Sequence, residues 1–186
     1  MPDEKKNEEK RLIDGCKRGD RSSQKRLFEK YYAMMLAICL RYAQNEEDAK
    51  DLLQEGFAKI FLKIKQFKEK ERIPAWMKTI MVNTAIDKYR SEINKPYQTE
   101  VNDSDTIGDL DQELMEYFNI QDITELIQNL PDNCRTVFNL FAIEGYSHDE
   151  IAEMLDIKAS TSRSQLNYAR KQLQSRILKI REKDRK

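Results

Sequence analysis

A chain of 186 residues with no net charge is long enough for one domain or two small ones. Charged residues make up 35% of it and glycine and proline together number nine, which favours helices over a turn-rich β-fold. The longest apolar run, YYAMMLAICL, is ten residues, about half a membrane-spanning helix. The opening MPDEKKNEEKR mixes both charge signs with no apolar segment behind it, unlike a signal peptide.

Cys16, Cys39 and Cys134 are odd in number, far apart and without metal-ligand spacing. Each reads as a reduced packing residue, which points to the cytoplasm. The sequence has one histidine, no phosphate-cradling glycine loop and no Ser-His-Asp set. An enzyme is therefore not expected, nor a cofactor or a bound metal. The zero net charge conceals a pattern. Residues 10–95 hold 20 basic and 12 acidic side chains, 97–133 hold none and 10, and 155–186 hold 10 and 3. Two basic blocks thus flank an acidic one.

In chain order, residues 24–43 predict a helix with a broad apolar face of Leu27, Phe28, Tyr31, Met34, Met35 and Ile38. The stretch NEEDAKDLLQEGFAKIFLKIKQF predicts a second, with Ala49, Leu52, Leu53, Gly56, Phe57, Ile60, Phe61 and Ile64 on one face. Asp48, Asp51 and Glu55 occupy another face, and the lysines come later. The helix dipole accounts for that gradient. It leaves unexplained why Gln54 stands beside Asp51 and Glu55 on a strip suited to a basic partner. A charged loop, KQFKEKERI, precedes Pro74, which opens a third helix, PAWMKTIMVNTAIDKYR. Trp76, Met77, Ile80 and Met81 face inward, with Trp76 core before it is a base-stacking platform. Asn83, Asp87 and Arg90 share a face. Asparagine is a poor mid-helix residue, so Asn83 is either a chance surface residue or one with a task.

The acidic stretch KPYQTEVNDSDTIGDLDQE has turn residues and little periodicity, and reads as a flexible linker over 96–120 between domains at 1–95 and 121–186. The second domain shows three helical pieces. Pro131 and Asp132 start the first, which carries Val137, Phe138, Leu140 and Phe141 and ends at Gly145. Ser147 and Glu150 form a capping box for a short helix with Ile151, Ala152, Met154 and Leu155 inside. His148, in its first turn, reads as a surface residue. The turn DIKA leads to a last helix with Leu166, Ala169, Leu173 and Ile177 facing in.

A short capped helix, a tight turn and a longer helix free of acids from Lys158 to Leu173 make a helix-turn-helix signature. In that motif the start of the second helix reaches base edges in the major groove. Ser160, Thr161 and Ser164 permit close approach, Arg163 suits a bidentate bond to guanine, and Arg170, Lys171 and Arg176 suit phosphates. The alternative is a solvated basic helix in a three-helix bundle.

Together these segments resemble the extracytoplasmic-function (ECF) sigma factors of the sigma-70 family. EEDAKDLLQEGFAKIF is similar to the family's helix that binds the β-prime clamp of RNA polymerase. AWMKTIMVNTAIDKYR resembles the adjoining promoter-opening segment. LPDNCRTVFNLFAIEGYSHDEIAEML with TSRSQLNYARKQL resembles region 4, in wording most like Bacteroidetes members. The resemblance implies an all-α fold of two small helical domains: region 2 at 1–95, for core polymerase and the −10 element, and region 4 at 121–186, for the −35 element. It implies a non-enzymatic factor that directs RNA polymerase to promoters and helps melt them. Asp48, Asp51, Gln54 and Glu55 would contact the core enzyme. Lys68, Arg72 and Trp76 would lie at a flipped −10 base, with Asn83 on the melted strand and Lys88 and Arg90 on phosphates. Ser160, Thr161, Arg163, Ser164, Asn167, Tyr168, Arg170 and Lys171 would face the −35 element. Implied partners are core RNA polymerase through its β-prime clamp and β flap, promoter DNA and a membrane-bound anti-sigma factor. The acidic linker would either thread toward the RNA exit path or act as a plain tether.

The sequence departs from the family at three places. Asp156 stands where glycine is common, Lys158 where serine often caps the last helix, and Tyr168 where many members have arginine. Ser160 would then take over the cap, and the −35 readout would differ. The rival reading is a stand-alone helix-turn-helix transcriptional regulator, for which DAKDLLQEGF and AWMKTIMVNTAID have no use.

Overall fold

The computed structural model describes residues 2–68, 72–93 and 120–184. They form α1 (Pro2–Lys17), α2 (Arg21–Tyr42), α3 (Glu46–Lys63) with a 3-10 turn (Ile64–Gln66), α4 (Ile73–Ile93), α5 (Ile120–Gln128), α6 (Asp132–Phe138) with a π-turn (Asn139–Ile143), α7 (His148–Leu155) and α8 (Ala159–Asp184). Among the described residues there is no strand, so the all-α expectation holds. The chain divides into two compact units, Met1–Cys39 with Glu46–Ala85, and Leu40–Asn45 with Ile86–Lys186. Residues 94–119, which hold nearly all of the expected linker, lie outside the described residues.

In the first unit, apolar residues at three- and four-residue spacing close a core of Leu12, Cys16, Leu27, Met35, Leu53, Ile60, Ile64, Ile73, Met77 and Met81. Each such side chain stabilises by about 1.5–3 kcal/mol when fully buried. Gly56 lets α3 and α4 approach closely: a Cβ there would stand 2.1 Å from Met81 Sδ. Asp20 caps α2, accepting from the amides of Ser23 at 2.9 Å and Ser22 at 3.4 Å. The cap explains why α2 starts at Arg21 rather than at 24. Met34, expected inside, is 51% exposed, because the α2 stripe is narrower than its hydrophobicity suggests. The charge-rich start of the chain is α1, whose buried side is Leu12, Ile13 and Cys16.

The second unit is built around α6 and α8. Leu126, Ile127, Leu130, Cys134, Val137, Leu140, Ile151, Leu155, Leu166, Ala169, Leu173 and Ile177 form its core. Arg135, 2% exposed, donates to the carbonyls of Gln128 at 2.7 Å, Leu130 at 3.1 Å and Tyr42 at 3.2 Å, and pairs with Asp132. These acceptors lie at helix C-termini, where carbonyls lack an intrahelical donor. Asn139, fully buried, donates to the Arg41 carbonyl at 2.6 Å.

After the π-turn, Gly145 takes φ +83 and ends the helix, as its position predicts. The capping box forms: the Ser147 amide donates to Glu150 Oε2 at 2.8 Å, and the Glu150 amide donates to Ser147 Oγ at 3.3 Å. Asp156 adopts the left-handed conformation (φ 54, ψ 50), and the Ile157 amide bonds back to the Ala152 carbonyl at 3.1 Å. Asp is one of the few non-glycine residues that visit this region readily, so the turn survives the exchange of glycine for Asp156. Ser160 does not take the cap role expected of it. It lies inside α8, and the Lys158 carbonyl accepts from the Ser162 amide at 3.0 Å.

Ser147→Ala removes the side-chain half of the capping box, the acceptor of the Glu150 amide, and keeps the residue-147 amide to Glu150 Oε2. The expected cost is about 1 kcal/mol, read as a lowered urea midpoint with an unchanged slope.

Candidate nucleic-acid interface

Successive residues of α8 turn by about 100°. Ser162, Leu166, Ala169 and Leu173 are buried and define its inner side. Ser160, Thr161, Arg163, Ser164, Asn167, Tyr168, Arg170 and Lys171 then fall within an arc of about 180° on the other side. Ser160 and Arg163 are exposed and the other six half-buried. All eight expected −35 residues therefore share one surface. Arg176 falls in phase near Ala169, is half-buried, and lies outside the arc. Ser164 Oγ donates to the Thr161 carbonyl at 3.0 Å, which leaves its oxygen lone pairs to accept.

Three residues of this surface's support were not legible as such. His148 is half-buried rather than a surface residue. Its ring stacks on Phe141 with centroids 4.5 Å apart and 20° between planes, and its Nδ1 lies 2.9 Å from Ser162 Oγ. Arg170 places its guanidinium 5.8 Å from the Phe141 ring centroid, a cation–π distance. Burial, then the nearby charges of Arg163 and Arg170, hold the imidazole below its usual pKa, against the pull of Asp149. The signal in the sequence was only that a lone histidine sits in a helix's first turn.

On α3, Asp51, Gln54 and Glu55 are exposed and Asp48 half-buried, within an arc of about 120°. Glu55 pairs with Lys59 at 2.9 Å. The opposite side buries Ala49, Leu52, Leu53, Gly56, Phe57 and Ile60. On α4, Asn83 and Arg90 are exposed and share a helical phase with Trp76, while Lys88 lies about 140° away from Asn83. Trp76 is half-buried and meets Phe67 edge-on at 5.4 Å. Arg90 donates to the Glu153 carbonyl at 2.9 Å. Lys68 and Arg72 are exposed and flank residues 69–71, which are outside the described set. Among the described residues no group of three or more His, Cys, Asp or Glu is placed to hold a metal ion, and no helix is long and apolar enough to cross a membrane.

Two family profiles match the chain in order: Sigma-70 region 2 over residues 27–93 and Sigma-70, region 4 over residues 120–173. The chain belongs to the sigma-70 family. Its relatives place it among the ECF sigma factors. The ECF RNA polymerase sigma-E factor of Haemophilus influenzae is 25% identical over 177 residues, 89% of this chain and 93% of that protein. ECF RNA polymerase sigma factor SigW of Bacillus subtilis is 26% identical over 179 residues, 90% and 96% of the two. The co-crystal structure of the sigma factor RpoE with the anti-sigma factor NepR from Bartonella quintana is similar with a TM-score of 0.46 and 21% identity, over 84% of this chain and 96% of that one. This ECF sigma factor directs RNA polymerase to promoters in transcription initiation.

A bidentate arginine–guanine contact discriminates by about 1–3 kcal/mol. Arg163→Ala should relax preference at one or two −35 positions while the protein still binds core polymerase. Arg176→Ala, outside the arc, should leave −35 preference as it is. Holoenzyme binding to duplexes randomised across the −35 region distinguishes the two outcomes. A uniform loss over all sequences in the Arg163 variant would make Arg163 a phosphate contact.

Proposed function

We propose that this ECF factor divides its work as its relatives' regions suggest. Residues 1–95 bind core polymerase and the −10 element, 121–186 bind the −35 element, and the acidic 96–120 joins them. The reading rests above all on one observation: eight polar and basic side chains of α8 share a surface from which acidic residues are missing. Phosphate charge favours that exclusion, because a carboxylate at such a surface is repelled by the DNA backbone.

In this reading Arg163, Ser164, Asn167 and Tyr168 meet base edges, and Ser160, Thr161, Arg170 and Lys171 sit closer to phosphates. Trp76, Asn83 and Arg90, alike in helical phase, face the −10 strand, with Lys68, Arg72 and Lys88 beside it. Asp48, Asp51, Gln54 and Glu55 dock on the β-prime clamp, and the 121–186 domain on the β flap. The factor works in the cytoplasm, under a membrane-bound anti-sigma factor, in a Bacteroidetes-like lineage. Cytoplasmic work is supported by three cysteines that are all free and buried; the lineage is supported by the wording EGYSHDEIAEML.

Mixing the protein with core polymerase and sequencing transcript starts tests the whole reading. Shared upstream motifs at −35 and −10 are expected, and starts no different from those of core alone would end it.

The acidic strip of α3 has its own test. Asp51→Lys with Glu55→Lys leaves the buried side of α3 untouched, so the helical circular dichroism should match the parent's, with a slightly lower melting temperature from the lost Glu55–Lys59 pair. Affinity for core polymerase should fall at least about tenfold, since reversing two interfacial charges places like charges opposite each other. Unchanged binding in a titration by light scattering would remove the strip from the interface.

A further inference from the structure

The single histidine of the chain sits where the turn, the scaffold helix and the DNA-facing helix converge. Phe141 comes from the π-turn, His148 opens α7, and Ser162 and Arg170 belong to α8. Their contacts form a connected set: Phe141 with the His148 ring at 4.5 Å, His148 Nδ1 with Ser162 Oγ at 2.9 Å, and the Arg170 guanidinium over Phe141 at 5.8 Å. Ser162 is fully buried. A hydroxyl in that setting needs a partner, and His148 supplies it. The π-turn matters to the same end. It inserts a wider turn at Asn139–Ile143, carried by the Glu144 amide to the Asn139 carbonyl at 2.9 Å and the Tyr146 amide to Leu140 at 3.0 Å. Phe141, inside that widened turn, is half-buried and in reach of both His148 and Arg170, whereas Leu140 beside it is fully buried.

We propose that His148 is a positioning residue for −35 recognition: it ties α7 to α8 through Ser162, and through the shared Phe141 ring it sets the guanidinium of Arg170 on the DNA-facing surface. The proposal rests on the assignment of that surface to the −35 element. Rotation of α8 about its own axis is the quantity at stake. A helix whose polar arc is displaced by a fraction of a turn presents other side chains to the groove. Leu166, Ala169 and Leu173 are apolar and resist such rotation only through shape, whereas the Ser162–His148 bond is directional.

The charged groups facing the imidazole are Arg163 and Arg170 from α8 and Asp149 from α7. Protonation would put a third cation beside two, which favours the neutral ring in the free protein. The folded state therefore keeps the neutral ring's full contribution above the ordinary histidine pKa, about 6.5, and loses it as pH falls through the lower value of the folded state. Protonated His148 can still donate to Ser162 Oγ, so base discrimination should fall with pH through the third positive charge placed beside Arg163 and Arg170.

The experiment uses full-length protein assembled with core polymerase. The probe is a promoter found by start-site mapping, with its −35 region randomised. His148→Ala should flatten the base preference by about five- to tenfold, part of what one good base contact discriminates. His148→Asn, which keeps a side-chain partner for Ser162 but does not titrate, should restore most of it. Ser162→Ala should reproduce the His148→Ala profile, and the double variant should add little. As pH falls through the lowered pKa of His148 the parent should lose discrimination while His148→Asn stays flat. A His148→Ala preference profile identical to the parent's overturns the proposal, as does an equally steep pH profile in His148→Asn. If Arg163→Ala and Arg170→Ala also leave the profile unchanged, the −35 assignment of the surface has failed. If those two alter it and His148→Ala does not, only the positioning role has. Melting temperatures and core affinity, measured on every variant, separate loss of fold from loss of reading.

Discussion

Arg135 carries a full positive charge at a site only 2% exposed, and much of the second unit is arranged to satisfy it. An unpaired guanidinium there would be too costly to bury. Its donors are met by Asp132 and by the carbonyls of Gln128, Leu130 and Tyr42. The exchange works in both directions, because those carbonyls lie where helix geometry leaves acceptors without amides. One side chain thereby joins the end of α5, the start of α6 and the end of α2. The π-turn continues α6 and carries Phe141, whose ring meets His148 of α7 and the Arg170 guanidinium of α8. Arg135 and Asn139 stand three and four residues from Asp132 and Arg135 on the same short helix and its extension. Their polar contacts hold a location that apolar packing by itself leaves free to slide.

How α8 presents its basic surface depends on what lies behind it. Its inner side combines Leu166, Ala169 and Leu173 with two buried polar residues, Ser162 and Gln165. Apolar burial supplies most of the stability, and the Ser162–His148 bond supplies direction. The charge sorting of the chain has the same physical origin. Acids collect in the first turn of α7, as Asp149 and Glu150, where they suit the helix N-terminus and complete a cap. They are missing from Lys158 to Leu173, where a phosphate backbone would be the neighbour. On α3 the logic is reversed. The exposed strip is acidic, fits a basic protein surface and would be repelled by DNA.

Helical periodicity made much of the fold legible before any coordinates. Ala49, Leu52, Leu53, Gly56, Phe57, Ile60 and Ile64 are buried as their spacing requires, and the Ser147–Glu150 box and Gly145 mark helix ends where they were read. What escaped did so for identifiable reasons. α1 has only a few apolar positions among charges, so its stripe is too sparse to stand out. Met34 is hydrophobic and exposed, because a period of 3.6 residues tells which residues share a side and not how wide the covered side is. Ser160 looked like a cap because serine caps helices well, yet α8 begins one residue earlier and uses a backbone carbonyl of Lys158.

By itself the sequence determined the all-helical class, the helix-turn-helix, the basic surface of α8 and the family, since each is written in local spacing and charge. Periodicity of three and four residues, capping chemistry and the exclusion of acids from one helix surface act over a few turns of chain. Only the tertiary structure decided that Arg135 is buried and that His148 meets Phe141 and Ser162. Those outcomes depend on contacts between residues far apart in the chain or on which side of a helix another helix covers. Arg135 and Tyr42 are 93 positions apart, and His148 and Ser162 are joined across a turn whose path is set by the left-handed Asp156. No local pattern encodes such a meeting, because the cost of burying a polar group is decided by the partner that packing brings to it.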